Sequence, residues 1–136
     1  MEPTETDRAY LAGLIDGEGS LQINLDANGW RVRVSIANSG IPIHHWLQAR
    51  WGGSFVQQGR KQCWSTYWTG KERVTQILDA AYPYLILKKG QADILRIFIR
   101  TIGERGHDNS EVHEGRVTLM EQLDLEREIC LEKESS

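Results

Sequence analysis

Residues Leu11–Ser20 read LAGLIDGEGS, an apolar run that closes on two acids and two glycines. The apolar half suits a helix. Asp16 and Glu18 then fall at its C-terminal end, where the macrodipole concentrates partial negative charge and favours Lys or Arg instead. Stability alone does not put carboxylates there. Gly13 and Gly17 leave one side of the same helix bare, so another backbone can approach it closely. A helix shaped for close contact that delivers acids at its tip has the design of one half of a symmetric metal site.

The flanks extend this helix into a domain. Upstream, Pro3 precedes Thr4 and Asp7, a capping pair that marks a first helix over about 5–16. Downstream, residues 20–26 and 31–37 alternate apolar and polar, and Asp26-Ala-Asn-Gly29 supplies turn chemistry, which predicts a β-hairpin. Residues 41–51 have Pro42 in a first turn and Ile43, Trp46, Leu47 and Arg50 at helical spacing. Gly52-Gly53 ends that helix. Strands over 54–58 and 62–69 follow, joined through Gly59-Arg60-Lys61 and closed by Gly70. Helices are expected over 71–81, with Val74, Ile77, Leu78 and Ala81 inward, and over 90–102, after Pro83 and an apolar run ending at Lys88-Lys89. The polar stretch 103–113 reads as a loop. A last helix over 114–130 would bury Val117, Met120, Leu123 and Ile129. Helix, hairpin, helix, hairpin, helices is an α+β order: one four-stranded antiparallel sheet with helices on one face.

The 136 residues predict one domain, 1–136, with a core of its own. No apolar window approaches the roughly 18 residues of a membrane span, and the acidic start MEPTETDRAY lacks the design of a signal peptide. Cys63 and Cys130 have neither disulfide density nor metal-ligand spacing and read as reduced thiols. The expected location is cytoplasmic, organellar or nucleoid-associated, and not secreted. The net charge of −3 hides a strong segregation. Residues 1–20 carry −4, residues 21–100 carry +7 and residues 101–136 carry −6. A basic middle between acidic ends suits either a polyanion-binding face or scattered surface charge.

Alternation also sorts the strand side chains. With Leu21, Ile23 and Leu25 in the core, Gln22, Asn24 and Asp26 project to the other side. With Val32, Val34 and Ile36 inward, Arg31, Arg33 and Ser35 face outward. The third strand adds Gln57, and the fourth adds Ser65 and Tyr67, where the alternating Trp64 and Trp68 leave the assignment of faces open. Guanidiniums and amides are the groups that read base edges in a major groove. Of the five tryptophans, Trp30 is the one expected outside the core as a stacking platform. His44 and His45 are adjacent on one helix, cannot share a ligand face, and read as surface or packing residues.

The decamer resembles the signature of the LAGLIDADG homing endonucleases, matching it from Leu11 through Asp16 and departing at Gly17-Glu18-Gly19. The resemblance spans about residues 5–102 and implies an αββαββα core whose saddle-like sheet sits on DNA with Gln22, Asn24 and Asp26 on the contacting side. It implies that Glu18 is the metal ligand, with the Gly17 carbonyl helping. Lys88, ahead of Gln91-Ala92, would be the active-site lysine; the adjacent Lys89 leaves the register open, and the alternative for both is a phosphate contact. Asn38, standing where relatives carry Gln, either orients water or caps the turn to the next helix. Asp16 either joins the acidic site or satisfies backbone donors at the helix end. One motif per chain implies a homodimer sealed along Ala9, Ala12, Gly13 and Gly17. The activity implied is Mg²⁺-dependent cutting of a long, partly palindromic double-stranded DNA site, with other divalent cations as candidate substitutes and an intron or intein as host element. Two alternatives use the same fold: an intron maturase that binds RNA, and a DNA-binding regulator without chemistry. No membrane partner is expected.

Overall fold

The computed structural model describes residues 2–27, 29–57, 59, 62–101 and 110–135. Helix α1 (Glu5–Glu18) leads into strands β1 (Gly19–Asp26) and β2 (Gly29–Asn38), then α2 (Ile41–Trp51), β3 (Ser54–Gln57), β4 (Trp64–Thr69) and α3 (Lys71–Ala81). A 3₁₀ turn (Tyr82–Tyr84), α4 (Lys89–Thr101) and α5 (Ser110–Ser135) complete the chain. The four strands form one antiparallel sheet in the order β1-β2-β4-β3. The fold is α+β, as the order of elements predicts.

Each end of α1 has an identifiable cause. Thr4 and Asp7 close a capping box, Asp7 N–H donating to Thr4 Oγ1 at 3.1 Å and Thr4 N–H to Asp7 Oδ2 at 3.0 Å. The helix runs two residues past the expected end, so Glu18 is its last residue and Gly19 its cap. Leu11, Ala12 and Ile15 form its buried face, packed under Leu21, Val34 and Ile36 of the sheet with Val74, Ile77, Leu78, Leu95 and Phe98 of the outer helices. Each such side chain removed from water contributes about 1.5–3 kcal/mol.

On the interior strand β4, Trp68 is fully buried and its indole N–H donates to the Trp51 carbonyl at 3.1 Å. Gly53 makes room for it: a Cβ there, at φ +96°, would stand 2.8 Å from Trp68 Nε1. This is why the helix-ending glycine pair cannot be any two turn residues.

Several expectations need correction. Leu25 is 49% exposed, although it has the inward parity of Leu21 and Ile23. Trp30 is half-buried and packs edge-on against Phe98, with centroids 5.4 Å apart, so it is a foot of the core and not an open platform. The last helix begins at Ser110, inside the expected loop, and extends past 130; it buries Leu123 and leaves Ile129 exposed. Arg116 is buried there instead of an apolar residue, donating to the Thr101 carbonyl at 2.6 Å at the end of α4. Cys63 is a free thiol. The side chain of Cys130, and Arg60 and Lys61 of the β3–β4 connection, lie outside the described residues. No described helix is long and apolar enough to cross a membrane.

Candidate active site

The tip of α1 is held by one segment, residues 86–88, some seventy positions further on. The Asp16 carboxylate accepts the backbone N–H groups of Ile86 (2.9 Å), Leu87 (3.2 Å) and Lys88 (2.9 Å). In return, Lys88 Nζ donates to the carbonyls of Ile15 (3.0 Å), Asp16 (3.1 Å) and Gly19 (2.7 Å). The Asp16 carbonyl belongs to the last turn, whose carbonyls lack intrahelical donors, while the Ile15 carbonyl also accepts the N–H of the Gly19 cap. The last turn of α1 has no basic residue of its own, and Lys88 supplies the missing positive charge from outside the helix. The carboxylate that looked misplaced in the sequence therefore anchors the lysine that compensates it. Asp16 takes the backbone-satisfying role, with donors on the 86–88 segment and not at its own helix end.

Glu18 is exposed at the same tip. Its carboxylate oxygens accept from Asn38 Nδ2 at 2.9 and 2.8 Å. Asn38 closes β2, and its Oδ1 accepts the N–H of Gly40 at 2.7 Å in the turn into α2. The turn-capping role is thus filled, and it fixes which way the amide points: oxygen to Gly40, nitrogen to Glu18. Lys89 goes elsewhere, its ammonium 4.9 Å over the Tyr82 ring. Lys88 and not Lys89 is the lysine brought to Glu18's end of α1.

Gly19 leaves no freedom at this junction. A Cβ on it would stand 2.7 Å from both the Cα and the carbonyl oxygen of Ile15, backbone atoms that cannot swing aside. Gly19→Ala is expected to cost about 1–3 kcal/mol of folding free energy, the usual penalty of overpacking, readable as a lowered urea midpoint. An unchanged midpoint would show the junction to be softer than its geometry.

The sheet's other side carries the polar rows. Cross-strand partners share a face, so Gln22 stands with Arg33 and Thr69, Asn24 with Arg31, and Ser20 with Ser35, Tyr67 and Ser54. Arg33 lies over Tyr67, its guanidinium carbon 4.1 Å from the ring centroid. Arg31 is ion-paired to Asp26 at 3.2 Å across the hairpin. Two expected members of this face are not available on it. Gln57 pairs with Trp64 and so falls on the helix side, leaving Val56 outward. Ser65 has the right parity but is only 1% exposed, flanked by Ala37 and Val56. Thr69, Ser20 and Ser54 are residues the alternation argument left out. Thr69 and Ser54 sit at strand ends, where periodicity gives no signal, whereas Ser20 opens the alternating run 20–26.

On α1 the exposed stripe is Ala9, Gly13 and Gly17, at i, i+4 and i+8. Ala12 is not part of it; it is fully buried beside Leu11 and Ile15. A Cβ at Gly13 or Gly17 would meet nothing within 4 Å. Nothing among the described residues requires glycine at either position. Among the described residues, no three His, Cys, Asp or Glu side chains gather to hold a metal.

No protein-family model and no curated protein sequence matches the chain. Solved structures do. The homing endonuclease I-CvuI in complex with its target, in the presence of calcium, superposes with a TM-score of 0.78 at 21% identity, over 90% of this chain and 82% of that one. The archaeal intron-encoded homing endonuclease I-Vdi141I complexed with DNA gives 0.79 at 16% identity, over 90% and 84%. I-SmaMI bound to an uncleaved DNA target, in the presence of calcium ions, gives 0.74 at 22% identity, but this chain spans only 44% of its length. Likeness of this extent at such low identity speaks to architecture: the chain has the fold of the LAGLIDADG homing endonucleases.

Proposed function

We propose that this chain is a site-specific, Mg²⁺-dependent double-strand DNA endonuclease of the homing type that acts as a homodimer on a partly palindromic site. The observation that carries the reading is the tip of α1: an exposed glutamate, oriented by Asn38, beside a lysine that caps the same helix end. The solved neighbours I-CvuI and I-Vdi141I, each complexed with DNA, support a nucleic-acid target.

The donor chemistry fits a hard divalent cation. Carboxylate and carbonyl oxygens are the ligands Mg²⁺ and Ca²⁺ take. Each Glu18 oxygen gives one lone pair to Asn38 and keeps another for an ion. Glu18, with the Gly17 carbonyl, would hold the cation, which when bound supplies Lewis acidity at a phosphodiester and a lowered pKa for water. One carboxylate is a thin site. Two chains meeting along Ala9, Gly13 and Gly17 would bring two Glu18 residues together at the symmetry axis.

The remaining steps belong to the chain's own groups. Asn38 fixes the Glu18 rotamer, so the acid presents the same face in every molecule. The Lys88 ammonium lies at the helix end from which Glu18 projects, and its charge favours the extra negative charge that a phosphate gains as it is attacked. Gln22, Asn24, Arg31, Arg33, Ser35 and Tyr67 offer the amide, guanidinium, hydroxyl and ring groups that base edges and phosphates accept. Arg33 is the best prepared of them, because the Tyr67 ring already holds its guanidinium in place. Arg33→Ala is expected to weaken binding by about 1–3 kcal/mol and to relax the preference at one base pair of each half-site. Competition against singly substituted targets reads both effects. A uniform loss across all targets would make Arg33 a phosphate contact instead.

The decisive test is cleavage of a randomised palindromic DNA library with Mg²⁺, with the cut ends captured and sequenced. A defined two-fold site establishes the nuclease. Specific binding without cut ends indicates a regulator, and RNA binding in place of DNA binding indicates the maturase.

A further inference from the structure

His44 lies in the first turn of α2, is fully buried and has both ring nitrogens engaged. Nε2 is 3.0 Å from the Asn38 carbonyl oxygen and Nδ1 is 2.8 Å from Thr66 Oγ1. A carbonyl only accepts, so Nε2 carries the proton; in the neutral ring Nδ1 then accepts from the Thr66 hydroxyl. The Phe55 ring covers the imidazole, with centroids 5.1 Å apart. An aromatic or aliphatic side chain would fill this volume without bringing two polar nitrogens out of water. A buried imidazole paired at both ends is therefore a constraint on its partners as well as filler.

The partner that matters is Asn38. Its side chain is fixed by Gly40 N–H, its main chain by His44, and its free amide group holds Glu18. A continuous chain of hydrogen bonds thus runs from Thr66 on β4 through His44 on α2 and Asn38 on β2 to Glu18 at the tip of α1. Three elements converge to set the position of one exposed carboxylate. We infer that His44, backed by Thr66, is a positioning residue for Glu18 that acts through Asn38. Where the readout is a cleavage rate, this rests on the nuclease reading; the placement of Asn38 and Glu18 does not.

Two amide variants separate the roles of the ring nitrogens. His44→Asn keeps a polar group near Nδ1 for Thr66 and removes the donor to Asn38. His44→Gln extends a donor to the reach of Nε2. On the site recovered from the library, His44→Asn is expected to cleave about 10- to 100-fold more slowly at saturating enzyme, since a misplacement of about 1 Å costs up to 10²-fold. Its DNA affinity without metal should stay at the wild-type value, and His44→Gln should recover most of the rate. Amide ¹H–¹⁵N spectra of the full chain give a readout independent of activity. The Asn38 side-chain protons, hydrogen-bonded to Glu18 in the wild type, should move to the shifts and fast water exchange of a free Asn amide in His44→Asn and return to the wild-type values in His44→Gln. Thr66→Val, which keeps the volume, should act in the same direction more weakly, and it replaces His44→Asn if that variant does not fold.

Wild-type rates and unchanged Asn38 signals in the variants would overturn the inference. So would rate and affinity falling together with no recovery in His44→Gln, because His44 would then be packing alone. If the wild type cuts nothing, the nuclease reading has failed and the Asn38 signals alone decide the positioning role.

Discussion

Glu18→Gln is expected to lower DNA cleavage by at least about 10³-fold, the scale on which a lost ligand to a catalytic cation removes several kcal/mol of transition-state stabilisation. Binding of the same DNA without metal should be unchanged. The contrast follows from the geometry. Glutamine keeps the shape and one oxygen to accept from Asn38, whose amide direction is already fixed by Gly40. It loses the charge, and a neutral amide is a poor ligand for a hard cation. Glu18 is exposed, so stability should move by no more than about 0.5 kcal/mol. Single-turnover cleavage of a plasmid carrying the site, beside a gel shift in chelator, separates chemistry from binding. Full cleavage by the variant would sink the assignment of Glu18. Asp16 would not then be the obvious replacement, because its oxygens already bind three backbone N–H groups. Asp16→Asn should act through the fold, loosening the 86–88 segment and Lys88 with it.

What the sequence could and could not disclose divides along the range of the interactions. Capping residues, turn glycines and alternation are local, and they located α1, the first hairpin, α2 and α3 to within a residue or two at most ends. The order of elements then constrained the sheet. Errors came where a local pattern had to be projected through a connection of unknown geometry. Alternation gives the parity within β3 but not which parity faces the helices; the turn after α2 sets that, and it puts Phe55 and Gln57 inward and Val56 outward. Leu25 obeys alternation and is still exposed, although its cross-strand partner Trp30 packs on Phe98 of α4. Ser65 has the correct parity, and its neighbours cover it.

The candidate site shows the same division. The acid, the lysine and the amide stand out in the chain, one through its motif and two through resemblance. The way they are wired does not. Asp16 and residues 86–88 are seventy positions apart, and no spacing rule connects them. His44 read as one of two ordinary histidines because burial is a tertiary property; only the approach of Thr66 and Asn38 distinguishes it from His45. Sequence names the groups that can do chemistry, whereas the structure shows which of them are held still.

The proposed dimer makes the sharpest remaining demand, because here stability and activity are predicted to move in opposite directions. Gly13→Leu places a side chain on the exposed face of α1, where a Cβ meets nothing within 4 Å. Within one chain the substitution should be favourable by about 0.5–1 kcal/mol, since glycine in a helix interior is destabilising by that amount. Between two chains it should be ruinous. A seam of Ala9, Gly13 and Gly17 works only if the backbones approach closely, and a leucine at its centre forces them apart. The two Glu18 carboxylates would no longer share a site. Sizing by light scattering should give a monomer, thermal unfolding of that monomer should be no worse than for wild-type chain at equal dilution, and double-strand cleavage should fall by about 10²-fold or more. A variant that stays dimeric and cuts would move the interface off α1. A monomer that cuts both strands would remove the need for a partner, and the two glycines would then have no explanation in either the chain or its assembly.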